Sequence, residues 1–220
     1  MNLEHLDKYE TYWHGPIQQD EALFLYSLVK MIHPSLILEF GVQYGYSTWN
    51  FALAKDEDCK LFSYDIDLNC LNNVRKLFIG IKNFSFIHKN CLDFTFSDID
   101  NQLIDLCFID CAHILSINQQ LIDKILPFMS KNAIIAIHDT GTHTRKAINK
   151  KPEGYENKLF DNPFVKEVCL VEERQTVNWF AEKYPEYSLI NLHSENFFRH
   201  GITIFQKKSI LATDFSVKIF

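Results

Sequence analysis

The order of apolar segments predicts an α/β fold: a doubly wound sheet, mostly parallel, finished by an antiparallel strand pair at the C-terminal end. Three observations carry this. Five short runs dense in Ile, Leu, Val or Phe recur along the chain, and continuous runs of this length suit strands covered on both faces. Segments with helical spacing of apolar residues separate them. Two further strand-like runs near the end are joined by a short loop. Alternation of this kind implies right-handed βαβ crossovers.

Taken in order, residues 16–32 read as a helix with Ile17, Leu23, Phe24, Leu28 and Ile32 on its apolar positions. His33-Pro34 stops it, because the residue before a proline is pushed out of the helical region. Strands are predicted over 36–40, 60–65, 84–88, 103–110 and 133–138, with helices over 47–54, 67–78 and 116–126; the last repeats Ile117, Leu121, Ile122 and Ile125. Before the fifth strand stands Pro127 to Asn132, with Asn132 suited to a left-handed turn. Residues 141–163 are polar and lysine-rich, which suits a lid that excludes water. A helix is expected between 164 and 184, then strands over 187–192 and 202–206. The domain organisation expected is a helical or lid segment over 1–35, one domain over 36–208, and a tail over 209–220 whose role is unreadable. There is no internal repeat or low-complexity segment.

At 220 residues and 47% apolar content the chain can bury a sizeable core. Lys and Arg number 22 against 28 Asp and Glu, a net charge of −6, and the basic residues form only pairs such as Arg145-Lys146. That argues against a nucleic-acid footprint. The longest apolar run, 22–29, is far short of the roughly 20 residues that span a bilayer, so no membrane partner is expected. Glu4, Asp7, Lys8 and Glu10 break up any signal-peptide core, and a cytoplasmic location is expected. Homo-oligomerisation stays open. Six cysteines show no C-x-x-C pair and sit mostly in apolar runs, which favours buried free thiols.

Ligands of open parallel sheets bind beyond the carboxyl ends of the strands, and acids cluster there. The first predicted strand ends in Glu39-Phe40-Gly41-Val42-Gln43-Tyr44-Gly45, using two of only seven glycines. The second ends in Asp65, the third in Asn90-Cys91-Leu92-Asp93, the fourth in Asp110 and the fifth in His138-Asp139. A tight strand-to-helix turn explains the glycines equally well, and acids at helix starts can serve the helix dipole. An acid followed by G-x-x-x-G between first strand and first helix resembles motif I of the class I S-adenosylmethionine-dependent methyltransferases, whose fold is Rossmann-like. The resemblance implies that Gly41, Gly45 and Ser47 flank the methionine moiety of S-adenosyl-L-methionine, with Glu39 near its amino group. It further implies that Asp65 accepts the ribose hydroxyls, that Cys91 or Asp93 meets the adenine, and that Asp110 borders the cofactor. A dinucleotide-dependent oxidoreductase is the alternative, since Asp65 follows Gly45 by 20 residues. Gln43 stands where its fingerprint needs a glycine. A non-catalytic cofactor-binding relative is a third reading.

Phe108-Ile109-Asp110-Cys111-Ala112-His113 and, 29 residues after Asp110, His138-Asp139-Thr140 resemble the second half of the metal-dependent sugar and macrolide O-methyltransferases. That likeness implies Asp110, His138 and Asp139 as ligands of a divalent metal, Mg²⁺ or Mn²⁺, and His113 as the base that takes the acceptor's proton. Each also has a plain structural role open to it: a helix cap for the acids, a core or helix-start position for the histidines. The acceptor implied is a small-molecule hydroxyl. Tyr12, Trp13, His14, Trp179, Phe180, Tyr184, Phe197 and Phe198 lie outside the alternating segments and either line its pocket or pack as core. His143, His193 and His200 have no identifiable partner in the sequence.

Overall fold

The computed structural model describes residues 17–77, 80–141, 172–192 and 201–208. The elements run α1 (Gln19–Ile32), β1 (Leu36–Phe40), α2 (Tyr46–Ala54), β2 (Lys60–Asp65), α3 (Cys70–Leu77), β3 (Phe84–His88), β4 (Ile104–Ile109), α4 (Leu115–Ile125), β5 (Met129–Ile137), α5 (Glu173–Lys183), β6 (Tyr187–Leu192) and β7 (Ile202–Lys207). The strands form one sheet in the order β3-β2-β1-β4-β5-β7-β6. β1 to β5 are parallel, and β7 lies antiparallel between β5 and β6. The predicted fold class therefore holds.

Strand residues alternate between two cores, one on each face. Ile37, Leu61, Leu106, Phe108 and Ala136 pack with Leu25, Val29 and Phe51. Leu38, Tyr64, Cys107, Ile109 and Ile137 pack with Phe94, Leu121, Val177 and Phe180. β1 is buried along its whole length and β4 at all but one position, which explains their largely apolar sequences.

Register sets the strand ends level with one another. Phe40 pairs with Ile109 and Ile109 with Ile137, so Gly41, Asp110 and His138 leave the sheet side by side. The strand order reverses between β1 and β4, the switch point where such sheets open a crevice.

Several boundaries differ from those predicted, each for a local reason. α3 starts at Cys70 rather than 67, because the Asp67 carboxylate accepts from the Asn69 N–H at 2.9 Å and holds a turn that competes with helix. β5 starts at Met129 rather than 133: Leu126–Phe128 is a 3-10 turn, and Met129 pairs with Ile104. Asn132 lies within that strand instead of forming a left-handed turn. His33 takes the left-handed conformation that closes α1. Trp179, Phe180 and Tyr184 pack as core: Phe180 meets Phe205 at 4.2 Å between ring centroids and Tyr184 at 5.0 Å. Tyr12, Trp13, His14, His143, His193, Phe197, Phe198 and His200 fall outside the described residues, as does the polar stretch after Gly141. Among the described residues no helix is long and apolar enough to cross a membrane. Cys59, Cys70, Cys91 and Cys107 are buried free thiols and Cys111 is partly buried; Cys169 is not among the described residues.

Candidate functional site

The glycine turn is dictated by the neighbouring strand. Gly41 has φ +98°, and a Cβ there would stand 2.1 Å from the Asp110 carbonyl oxygen, so no side chain fits. Asp110 donates its N–H to the Phe40 carbonyl at 2.8 Å, locking the two strand ends together. Gln43 (φ 45°) and Gly45 (φ 81°) are also left-handed, and Gly45 is the N-cap of α2. Asp65 organises the turn: one oxygen accepts from the Val42 N–H at 2.8 Å and the Gln43 N–H at 3.1 Å, the other from the Asp67 N–H at 2.8 Å.

Glu39 is sealed inside. One of its oxygens accepts from the Ser47 hydroxyl at 2.5 Å and the other from the Ser63 hydroxyl at 2.6 Å. Burial pushes its carboxyl up to about 7 against the opposing pull of these hydroxyls. Cys91 and Asp93 lie in a 3-10 turn capped by the Asn90 side chain. Cys91 is buried, and the neighbouring Cys111 thiol pulls its pKa below the usual thiol range. The segment after β3 thus touches the loop after β4.

At the ends of β4 and β5 the acids and imidazoles converge. Asp110, His113 and Asp139 bring one ligand atom each within 4.8 Å of one another. Asp139 is buried in a left-handed conformation, φ 57°, the kind of strain that collects at working sites. His138, expected in a ligand set with Asp110 and Asp139, sits against both of them. Its Nε2 lies 3.0 Å from Glu21 Oε2, and its Nδ1 faces Asp110 Oδ1 at 3.3 Å and Asp139 Oδ1 at 3.7 Å. Carboxylates at both nitrogens favour the imidazolium; as a metal ligand the ring would instead offer Nδ1 as a bare lone pair. Burial opposes that charge, but Glu21, Asp110 and Asp139 overcome it and raise the pKa well above 6.5.

Sequence reasoning missed two carboxylates here. Glu21, on α1, accepts from His138, from the Gly201 N–H at 2.7 Å and from the Gln18 N–H at 2.9 Å. Glu173, at the start of α5, lies 2.5 Å from His113 Nδ1. Burial lowers the His113 pKa, yet the Glu173 hydrogen bond and charge, helped by Asp139 and Asp110, raise it overall. Burial holds the Glu173 carboxyl above its usual range against the pull of His113.

Chemically, this end of the sheet offers two carboxylates and an imidazole around one point. Such donors fit a divalent cation, and the imidazole can equally accept a proton.

A methyltransferase domain model matches residues 38–140. In Arabidopsis thaliana, the tapetum-specific methyltransferase 1 is 48% identical over 48 residues, covering 22% of this chain and 21% of that protein; the match spans about a fifth of the relative. Among solved structures, the Bacillus cereus O-methyltransferase in complex with SAH is 16% identical, with a TM-score of 0.64 over 94% of this chain and 90% of that one. The SAH-bound Podospora anserina methyltransferase is 14% identical, with a TM-score of 0.67 over 94% and 87%. At such identities the structural likeness speaks for the fold. Residues 38–140 thus match a methyltransferase domain model, and the chain has the fold of class I methyltransferases, which favours that reading over a dinucleotide oxidoreductase.

Proposed function

We propose that this chain, carrying a class I methyltransferase domain, transfers a methyl group from S-adenosyl-L-methionine to a hydroxyl of a small molecule, a sugar or polyketide-like metabolite. The observation that carries the reading is the convergence of Asp110, His113 and Asp139 at the switch point, directly beside a glycine turn that admits no side chain. S-adenosyl-L-methionine supplies an electrophilic methyl group on sulfur. Gly41, Gly45, Ser47 and Asp65 shape its pocket, with Glu39 behind the turn and Cys91 and Asp93 at its adenine end. His113 takes the hydroxyl proton as the oxygen attacks. Asp110 and Asp139 would hold a divalent cation, Mg²⁺ or Mn²⁺, which lowers the pKa of a bound hydroxyl. His138, with Nδ1 beside Asp110 and Asp139, would complete that ligand set while Glu21 holds its Nε2.

Calorimetry with S-adenosylhomocysteine and with NAD tests the cofactor. Heat from the first alone is expected; heat from NAD alone would reject the reading. Transfer of labelled methyl to a panel of hydroxylated acceptors should fall on His113→Ala by roughly 10² to 10⁴-fold with S-adenosylhomocysteine affinity unchanged. EDTA should abolish transfer and Mg²⁺ or Mn²⁺ restore it. Full rates in chelator would remove the cation.

A further inference from the structure

We infer that Glu173 is a positioning residue for His113, a carboxylate brought from outside the alternating core to fix which imidazole nitrogen faces the acceptor. The inference rests on the reading of His113 as the base and adds a residue to it. Glu173 Oε1 lies 2.5 Å from His113 Nδ1, and its side chain is 4% exposed, so it has no solvent-filled space in which to swing aside. A neutral imidazole that donates Nδ1–H to a carboxylate carries its basic lone pair on Nε2. The same hydrogen bond holds the ring plane, as carboxylates do for histidines in catalytic triads.

The residues on either side of Glu173 show that the contact is built and not incidental. Glu172 accepts from the Leu115 N–H, the first residue of α4, at 2.5 Å, and its own N–H donates to the His113 carbonyl at 3.4 Å. Arg174 donates to the Thr140 carbonyl just beyond β5. Three consecutive residues therefore clip the start of α5 onto the loops after β4 and β5, with Glu173 at the middle. Nδ1 also faces Asp139 Oδ2 at 3.8 Å, so of the two carboxylates beside it Glu173 makes the closer contact.

The test needs no acceptor. The full chain, labelled with ¹⁵N-histidine and saturated with S-adenosylhomocysteine, is recorded at about pH 9, where imidazoles are largely neutral, and the His113 signals are assigned by their loss in His113→Gln. The expected spectrum places His113 Nδ1 in the protonated range and Nε2 in the bare range. Glu173→Ala should lose this pattern, with both nitrogens averaging or exchanging ranges, while the heat of S-adenosylhomocysteine binding stays as in the wild type. A wild-type spectrum with the proton on Nε2 overturns the inference even if the variant fails to fold, and so does an Ala variant with an unchanged pattern. Absence of binding heat in the wild type would instead sink the methyltransferase reading and leave the tautomer result standing.

Discussion

The two halves of the crevice are built in opposite ways. Around β1 and β2 the polar groups are satisfied by partners within 24 positions in the chain: Glu39 by Ser47 and Ser63, Asp65 by the turn it faces. Around β4 and β5 the imidazoles are satisfied from far away, His138 by Glu21 across 117 positions and His113 by Glu173 across 60. The first half is a local motif. The second depends on α1 and α5 being docked before its charges are balanced, so its chemistry is tied to the completeness of the fold.

Cutting the longest of these ties should have the largest effect. Glu21→Ala removes the carboxylate from His138 and leaves the Gly201 and Gln18 N–H groups without their acceptor. A buried ion pair broken on one side typically costs 3–5 kcal/mol, so a loss of about 4 kcal/mol in urea unfolding at pH 7 is expected. A loss under about 1 kcal/mol would mean that α1 is no real part of the site.

That contrast also explains what was legible in the sequence. Strand identity came through because each central strand is apolar on both faces, and the turn at Gly41 and the acids at the strand ends came through because their meaning is local. Glu21 looked like an ordinary first-turn acid of a helix, and Glu173 an ordinary acid in a polar stretch; only tertiary packing gives them an imidazole. For His138 the sequence shows the adjacency to Asp139 but not the Glu21 partner 117 residues away. A weak signal existed: an acid and an imidazole both falling on buried positions require each other.

The local half is best probed by pH. Glu39 ionises near 4.5 when unfolded and near 7 when folded, so its contribution to stability is complete below pH 4.5 and is lost as pH rises through 7. The total is about 3 kcal/mol. Glu39→Gln keeps the shape and removes the ionisation; its stability should therefore change less than the wild type's between pH 5 and 8, by up to that amount. His138, with a raised pKa, loses stability in the same direction but only above 6.5. The variant's remaining slope should accordingly begin there. Parallel curves for wild type and variant would show that Glu39 is ionised throughout and that its hydroxyl shell outweighs burial.

The smallest effect on stability, and the sharpest question for the local half, belongs to Asp65. Its carboxylate already serves three backbone N–H groups, yet an ionised carboxylate has about four acceptor sites, so organising the turn and receiving a ribose are compatible. Asp65→Asn keeps one oxygen for the Val42 and Gln43 N–H groups and replaces the other with a donor. Because the group is partly exposed and water can substitute, unfolding should shift by only about 1 kcal/mol. Binding of S-adenosylhomocysteine should weaken by about tenfold or more, since an acceptor for paired hydroxyls becomes a donor. If stability falls and affinity does not, Asp65 is a turn-former alone, and the ribose must be held by groups that neither half of this comparison contains.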